Sequence, residues 1–99
     1  MLILASASPR RHELLLAAGL DHIVRPAHIS EDRRPAESPL DFVRRVAEEK
    51  ARAIAASSDD IVLGADPAVC LDNEVFGKPA DEQDAARMLR RLSGRDHFV

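Results

Sequence analysis

The chain has 99 residues, 45% hydrophobic and 31% charged, with a formal net charge of −3 and a pI near 5.7. That length suits one domain with a modest core, and the composition is globular rather than disordered. The acidic balance argues against a broad grip on DNA or RNA, which needs a basic face, but leaves small anionic ligands open because they need only a local cluster. One cysteine, Cys70, excludes an internal disulfide and fits a reduced, cytoplasmic setting. No segment is long enough to span a membrane. The apolar start, residues 2–7, lacks a preceding basic region and does not read as a signal peptide.

Leu2-Ile3-Leu4-Ala5 is a short continuous apolar run, the pattern of a buried strand. A helix is expected over residues 9–18, with Ser8 as N-cap, Pro9 at the first helical position and Gly19 as the stop. Its positions 14, 15 and 18 form an apolar face. Residues 22–29 read as a weak strand interrupted by Pro26, and the polar, proline-containing residues 30–39 as a surface loop. The next helix, residues 40–56, places Val43, Val46, Ala47, Ala51 and Ile54 at helical spacing. Residues 59–66 read as a second buried strand ending in a carboxylate. Residues 68–76 read as a hairpin turning at Asp72-Asn73. Asp81 caps a helix to Leu92, with Ala85, Met88, Leu89 and Leu92 on one face and Gly94 as the stop. His97-Phe98-Val99 opens what reads as a further strand. The sequence ends inside that element, as in the N-terminal portion of a domain incomplete at its C-terminus.

Several residues sit poorly for stability alone. Arg10 and Arg11 occupy a first helical turn, where the positive end of the helix dipole disfavours cations. They are either solvated side chains or half of an anion site made with the Ser6 and Ser8 hydroxyls and free backbone N–H groups. Lys50 falls on the apolar stripe of its helix, which means either a snorkelling stem or an amine at the floor of a cleft. Asp66 ends an apolar strand, where ligands gather in open α/β sheets. It can turn the chain before Pro67, hold a metal or act as a base. Glu31 and Asp32 read as a solvated acidic loop. Lys78 sits in a Gly-Lys-Pro turn that lacks the earlier glycine and following Ser/Thr of a P-loop. His12, His22, His28, His97 and Cys70 show no zinc-ligand spacing.

Taken in order, "LILASASPRRHELL", Glu31, "VRRVAEEKARA" and "VLGADPAVCLDNEVFGKPADEQDAARMLRRLSGRDHFV" resemble the Maf family of nucleoside triphosphate pyrophosphatases across nearly the whole chain. The Ser-Pro-Arg-Arg form resembles the branch that acts on dTTP and UTP. The resemblance implies an α/β fold with a long twisted mixed sheet flanked by helices, similar to inosine triphosphate pyrophosphatases, and a cleft between two lobes. It implies hydrolysis of a nucleoside triphosphate to the monophosphate and pyrophosphate with a divalent metal, Mg²⁺ or Mn²⁺. Carried over by motif, Asp66 would accept the proton of the attacking water, and Glu31 with Asp66 would hold the metal. Arg10, Arg11, Lys50 and Lys78 would bind phosphates in a cradle lined by Ser6 and Ser8. Pro67 stands where the family usually has a threonine tied to substrate choice. The family continues beyond the "SGRDHFV" block into a half with a Gly-Ile-Gln-Gly-like segment, and a homodimer is one way for a half-length chain to assemble a site. The alternative reading is a nucleotide-binding remnant or regulatory fragment without turnover, in line with the family's association with septum formation.

Overall fold

The computed structural model describes residues 1–99. Strand β1, Leu2–Leu4, lies between two parallel neighbours, β2 (Ile23–Val24) and β3 (Ile61–Leu63). The register pairs Ile3 with Ile23 and with Val62, and Leu4 with Val24 and with Leu63. A central parallel strand is covered on both faces, which is why the run is apolar without alternation; Ile3, Leu4 and Ala5 are fully buried. Parallel neighbours need long crossovers. Helix α1, Pro9–Ala17, makes the first and helix α2, Pro39–Arg52, lies in the second. A separate antiparallel hairpin follows, β4 (Val69–Leu71) and β5 (Glu74–Phe76), and then helix α3, Glu82–Leu92. The α/β architecture is as expected; within these residues the strands divide into a parallel sheet and a hairpin.

Each helix begins where its cap residue dictates. Ser8 accepts the Arg11 N–H at 3.3 Å, Ser38 the Asp41 N–H at 3.1 Å and Asp81 the Asp84 N–H at 2.7 Å. Pro9 and Pro39 stand at the first helical positions, where a missing N–H costs nothing. Gly19 and Gly94, at φ +73° and +71°, take the left-handed conformation beyond α1 and α3.

Several expectations are corrected. Helix α2 ends at Arg52 rather than near residue 56. Downstream, Asp60 Oδ2 accepts both the N–H and the hydroxyl of Ser57 at 3.0 Å, local bonds that compete with helix continuation. Its buried side chains are Phe42 and Val46, so the stripe includes a phenylalanine that the spacing argument left out. The strand over residues 22–29 shrinks to Ile23–Val24. The Arg25 N–H adds one more bond to Leu4 O, and Pro26 then has no N–H to give. Strand β3 is an edge strand, not a buried one, with Ile61 69% exposed. Helices α1 and α3 contain no buried residue, and Leu14 and Leu89 face outward because no element of these 99 residues packs over them. The final strand is a single bridge, in which Cys70 and Phe98 exchange N–H···O bonds of 2.7 and 2.9 Å.

One close approach aligns the sheet with α2. A Cβ added at Gly64, just past β3, would lie 2.3 Å from Ala47 O and 2.9 Å from Ala51 N. Only glycine lets the helix backbone come so near, and the contact falls beside Lys50 on α2 and Asp66 on the chain leaving β3.

Candidate functional site

At the carboxyl end of the parallel strands, a cavity of about 510 Å³ opens between the start of α1, the loop before α2, α2 itself and the turn after β5. Open α/β sheets collect ligands at this end. Ser8, Arg11, Glu31, Lys50, Asp66, Pro67 and Lys78 all line it. Residues separated by up to 70 positions in sequence therefore share one cleft.

Lys50 is its centre. The ammonium lies 2.8 Å from Glu31 Oε1 and 3.1 Å from Asp66 Oδ1, and donates to Ala65 O at 3.4 Å. The Lys50 side chain is only 12% exposed and that of Asp66 10%. The amine does not snorkel to open water; it bridges two carboxylates on different loops. Asp66 Oδ2 makes no hydrogen bond to the protein.

The α1 side is pre-arranged by serines. Ser6, itself buried, accepts the Ser8 N–H at 3.1 Å and the Arg11 Nη1–H at 2.9 Å. It stands behind the cavity wall and fixes Arg11, rather than lining the cradle itself. Arg10 is exposed and lies outside the cavity. Lys78 is exposed at the opposite wall with no ion-pair partner.

Arg33 is a lining residue that sequence reasoning missed. Its guanidinium donates to Glu37 O from Nε at 3.1 Å and from Nη2 at 2.8 Å, and to Asn73 O and Oδ1 at 2.6 and 3.1 Å. It ties the Glu31 loop to the hairpin turn. Arg45 secures the same loop from α2. It bonds Glu37 at 2.6 and 3.0 Å, Glu49 at 3.1 Å and Asp32 O at 2.8 Å. The Arg45 guanidinium, then the Arg34 N–H, hold the Glu37 carboxyl down at about 2, and the same bond pushes the Arg45 pKa up. Nothing about Arg33 marks it out in a polar loop of alternating charges. The lysines did carry a signal: Lys and Arg together number 14, yet only Lys50 and Lys78 are lysines, and both line this cavity.

Pro67 and Asp66 also border a second, more apolar cavity of about 550 Å³ with Leu40, Val43 and Phe98. No three His, Cys, Asp or Glu side chains cluster closely enough to enclose a metal by themselves. His12 Nδ1 lies 2.8 Å from His22 Nε2, away from the cleft, and His22 Nδ1 bonds Leu20 O. No helix is long and apolar enough to cross a membrane.

Comparison with known proteins agrees with this geometry. The chain is 54% identical over 99 residues to a dTTP/UTP pyrophosphatase of Koribacter versatilis, 56% over 98 residues to one of Anaeromyxobacter dehalogenans, and 52% over 99 residues to one of a Geobacter species. These alignments cover 99% of this chain and 51%, 49% and 51% of the respective relatives, so the chain spans about half the length of the curated relatives it matches. The profile of the family described as Maf-like protein matches residues 1–99. With the family's motifs gathered around one cleft and its profile matching from end to end, the chain belongs to the Maf family.

Proposed function

We propose that the chain carries the phosphate- and metal-binding part of a nucleoside triphosphate pyrophosphatase site, with dTTP or UTP as substrate and the monophosphate and pyrophosphate as products. The observation that carries this reading is the cleft in which Arg11, Lys50 and Lys78 converge with the carboxylates of Glu31 and Asp66. The names of the relatives support the substrate class.

A triphosphate brings about four negative charges, and cations with free helix N–H groups are what hold it. Arg11, fixed by Ser6, offers a pre-set guanidinium beside the α1 N-terminus, and Lys78 supplies a mobile amine opposite. Arg33 adds positive potential while its donors are spent on the loop. Asp66 is the proton acceptor. Burial and its Lys50 contact keep the carboxylate oriented, and the unbonded Oδ2 is the atom that would take the proton from water.

The donor set suits a divalent metal. Two hard carboxylate oxygens already converge on one cationic nitrogen, and Mg²⁺ or Mn²⁺ binds through one or two carboxylates, completing its shell with water and substrate phosphates. Glu31 and Asp66 would hold it, and the metal when bound would neutralise charge on the pyrophosphate leaving group.

The test is hydrolysis of dTTP, UTP, CTP and GTP with Mg²⁺ or Mn²⁺ by the purified chain and by Asp66→Asn. Monophosphate and pyrophosphate formed by the first and abolished in the second are expected. Diphosphate products, or turnover that survives Asp66→Asn, would refute the assignment.

A further inference from the structure

We infer that the Lys50 ammonium and a divalent cation are alternative occupants of the Glu31–Asp66 carboxylate pair, so that metal entry releases Lys50 to meet a phosphate. The inference rests on the metal reading above and goes beyond it, because it assigns Lys50 two successive partners.

The geometry makes the two occupants exclusive. Nζ lies 2.8 and 3.1 Å from one oxygen on each carboxylate, in the position between them that a metal bridging the pair through those oxygens would take. A dication bound at about 2.0–2.2 Å from those oxygens would stand against the ammonium with like charge in a site sheltered from water. One of them must leave. Lys50 can: its four-carbon stem moves the charge by several ångströms without backbone motion, which a forked guanidinium held by several bonds cannot do. Its third contact, Ala65 O at 3.4 Å, is weak. The released amine stays inside the cavity that Arg11 and Lys78 also line, where a polyanion would lie. Glu31, 54% exposed, can follow the metal, while Asp66, its side chain 10% exposed, is the more enclosed of the two.

The consequence is coupling. In the free protein the amine masks the carboxylates, so metal alone binds against a competitor. With a phosphate ligand present, the displaced amine gains a new anionic partner and the competition is relieved. Metal and anion therefore raise each other's affinity by the same factor.

The experiment titrates Mn²⁺, by the electron paramagnetic resonance signal of the free ion, into the chain, Lys50→Met and Arg52→Met. Arg52→Met removes a charge from the same helix at an exposed site paired only with Glu48. Circular dichroism checks the fold of each. Lys50→Met is expected to bind Mn²⁺ alone at least about tenfold more tightly than the unmutated chain, a fold-change of the order that removing a competing cation produces. Arg52→Met should change affinity less than threefold. Inorganic pyrophosphate should enhance Mn²⁺ binding to the unmutated chain more than to Lys50→Met. As a measurement independent of any variant, the two ¹³Cε lysine signals of the unmutated chain are followed on adding Mg²⁺, and the signal assigned to Lys50 should move while that of Lys78 stays. Equal or weaker Mn²⁺ binding by Lys50→Met, with binding by the unmutated chain intact, would overturn the exchange and leave the metal reading standing. A Lys50 signal unmoved at saturating Mg²⁺ would do the same. Absence of Mn²⁺ binding in all three proteins would overturn both.

Discussion

Gly64→Ala isolates the contact that aligns the site. The added Cβ would stand 2.3 Å from Ala47 O and 2.9 Å from Ala51 N, both backbone atoms of α2, so no side-chain rotation relieves it. Ordinary contact begins near 3.4 Å, so the helix must retreat by about 1 Å. Gly64 does not occupy the left-handed region, so the whole cost comes from this overlap. Overpacking of this kind costs about 1–3 kcal/mol, which for a domain of this size lowers Tm by roughly 4–8 °C per kcal/mol. The same retreat would displace the backbone at Lys50 by about 1 Å, and with it the resting position of the stem that now sets Nζ 3.1 Å from Asp66 Oδ1. Thermal melting by circular dichroism reads the first effect. If the proposed activity holds, steady-state hydrolysis reads the second, with kcat expected to fall about tenfold or more while KM changes little, because a misplacement of about 1 Å acts on the reacting geometry. An unchanged Tm would refute the packing argument. A lowered Tm with an unchanged kcat would refute the link between this contact and the Lys50–Asp66 pair.

Three further predictions concern the site's supports. Glu37 is held at about 2 against an ordinary 4.5, mainly by Arg45, so the folded state prefers the charged carboxylate. Its contribution is complete above about pH 4.5 and is lost as pH falls toward about 2, and Glu37→Gln should flatten that limb of the urea midpoint against pH. Ala36 stands at φ 62°, a conformation that glycine adopts without a Cβ penalty, so Ala36→Gly should stabilise the chain by about 0.5–1 kcal/mol, measured as a higher urea midpoint. Arg11→Ala should weaken inorganic pyrophosphate binding by about tenfold or more, the loss of a charge-assisted bond, whereas Arg10→Ala should cost less than about threefold by calorimetry. Equal losses would mean that Arg10 swings into the cleft on binding.

The elements legible in the sequence are those governed by local chemistry. Ser8-Pro9 placed the start of α1, apolar spacing placed α2 to within a residue of its start, Asp81 placed α3 and Asp72-Asn73 placed the hairpin, because each signal acts within a few residues of itself. Errors arose where burial depends on what lies across the sheet. Ile61 and Leu63 are as apolar as Ile3 and Leu4, yet β3 is at the edge and β1 at the centre, and no local pattern distinguishes the two. The site divides in the same way. Arg11, Lys50 and Asp66 were visible because each is mildly out of place: a cation at a positive helix end, an amine on an apolar stripe, a carboxylate ending a strand. Arg33 and Gly64 are ordinary in sequence, and their roles depend on partners up to 40 residues away. Locally misplaced residues thus mark the cavity they line, whereas the residues that brace them emerge only once the chain has folded. That division explains why Ser6, expected to line the cradle, instead bonds Arg11 without lining the cavity.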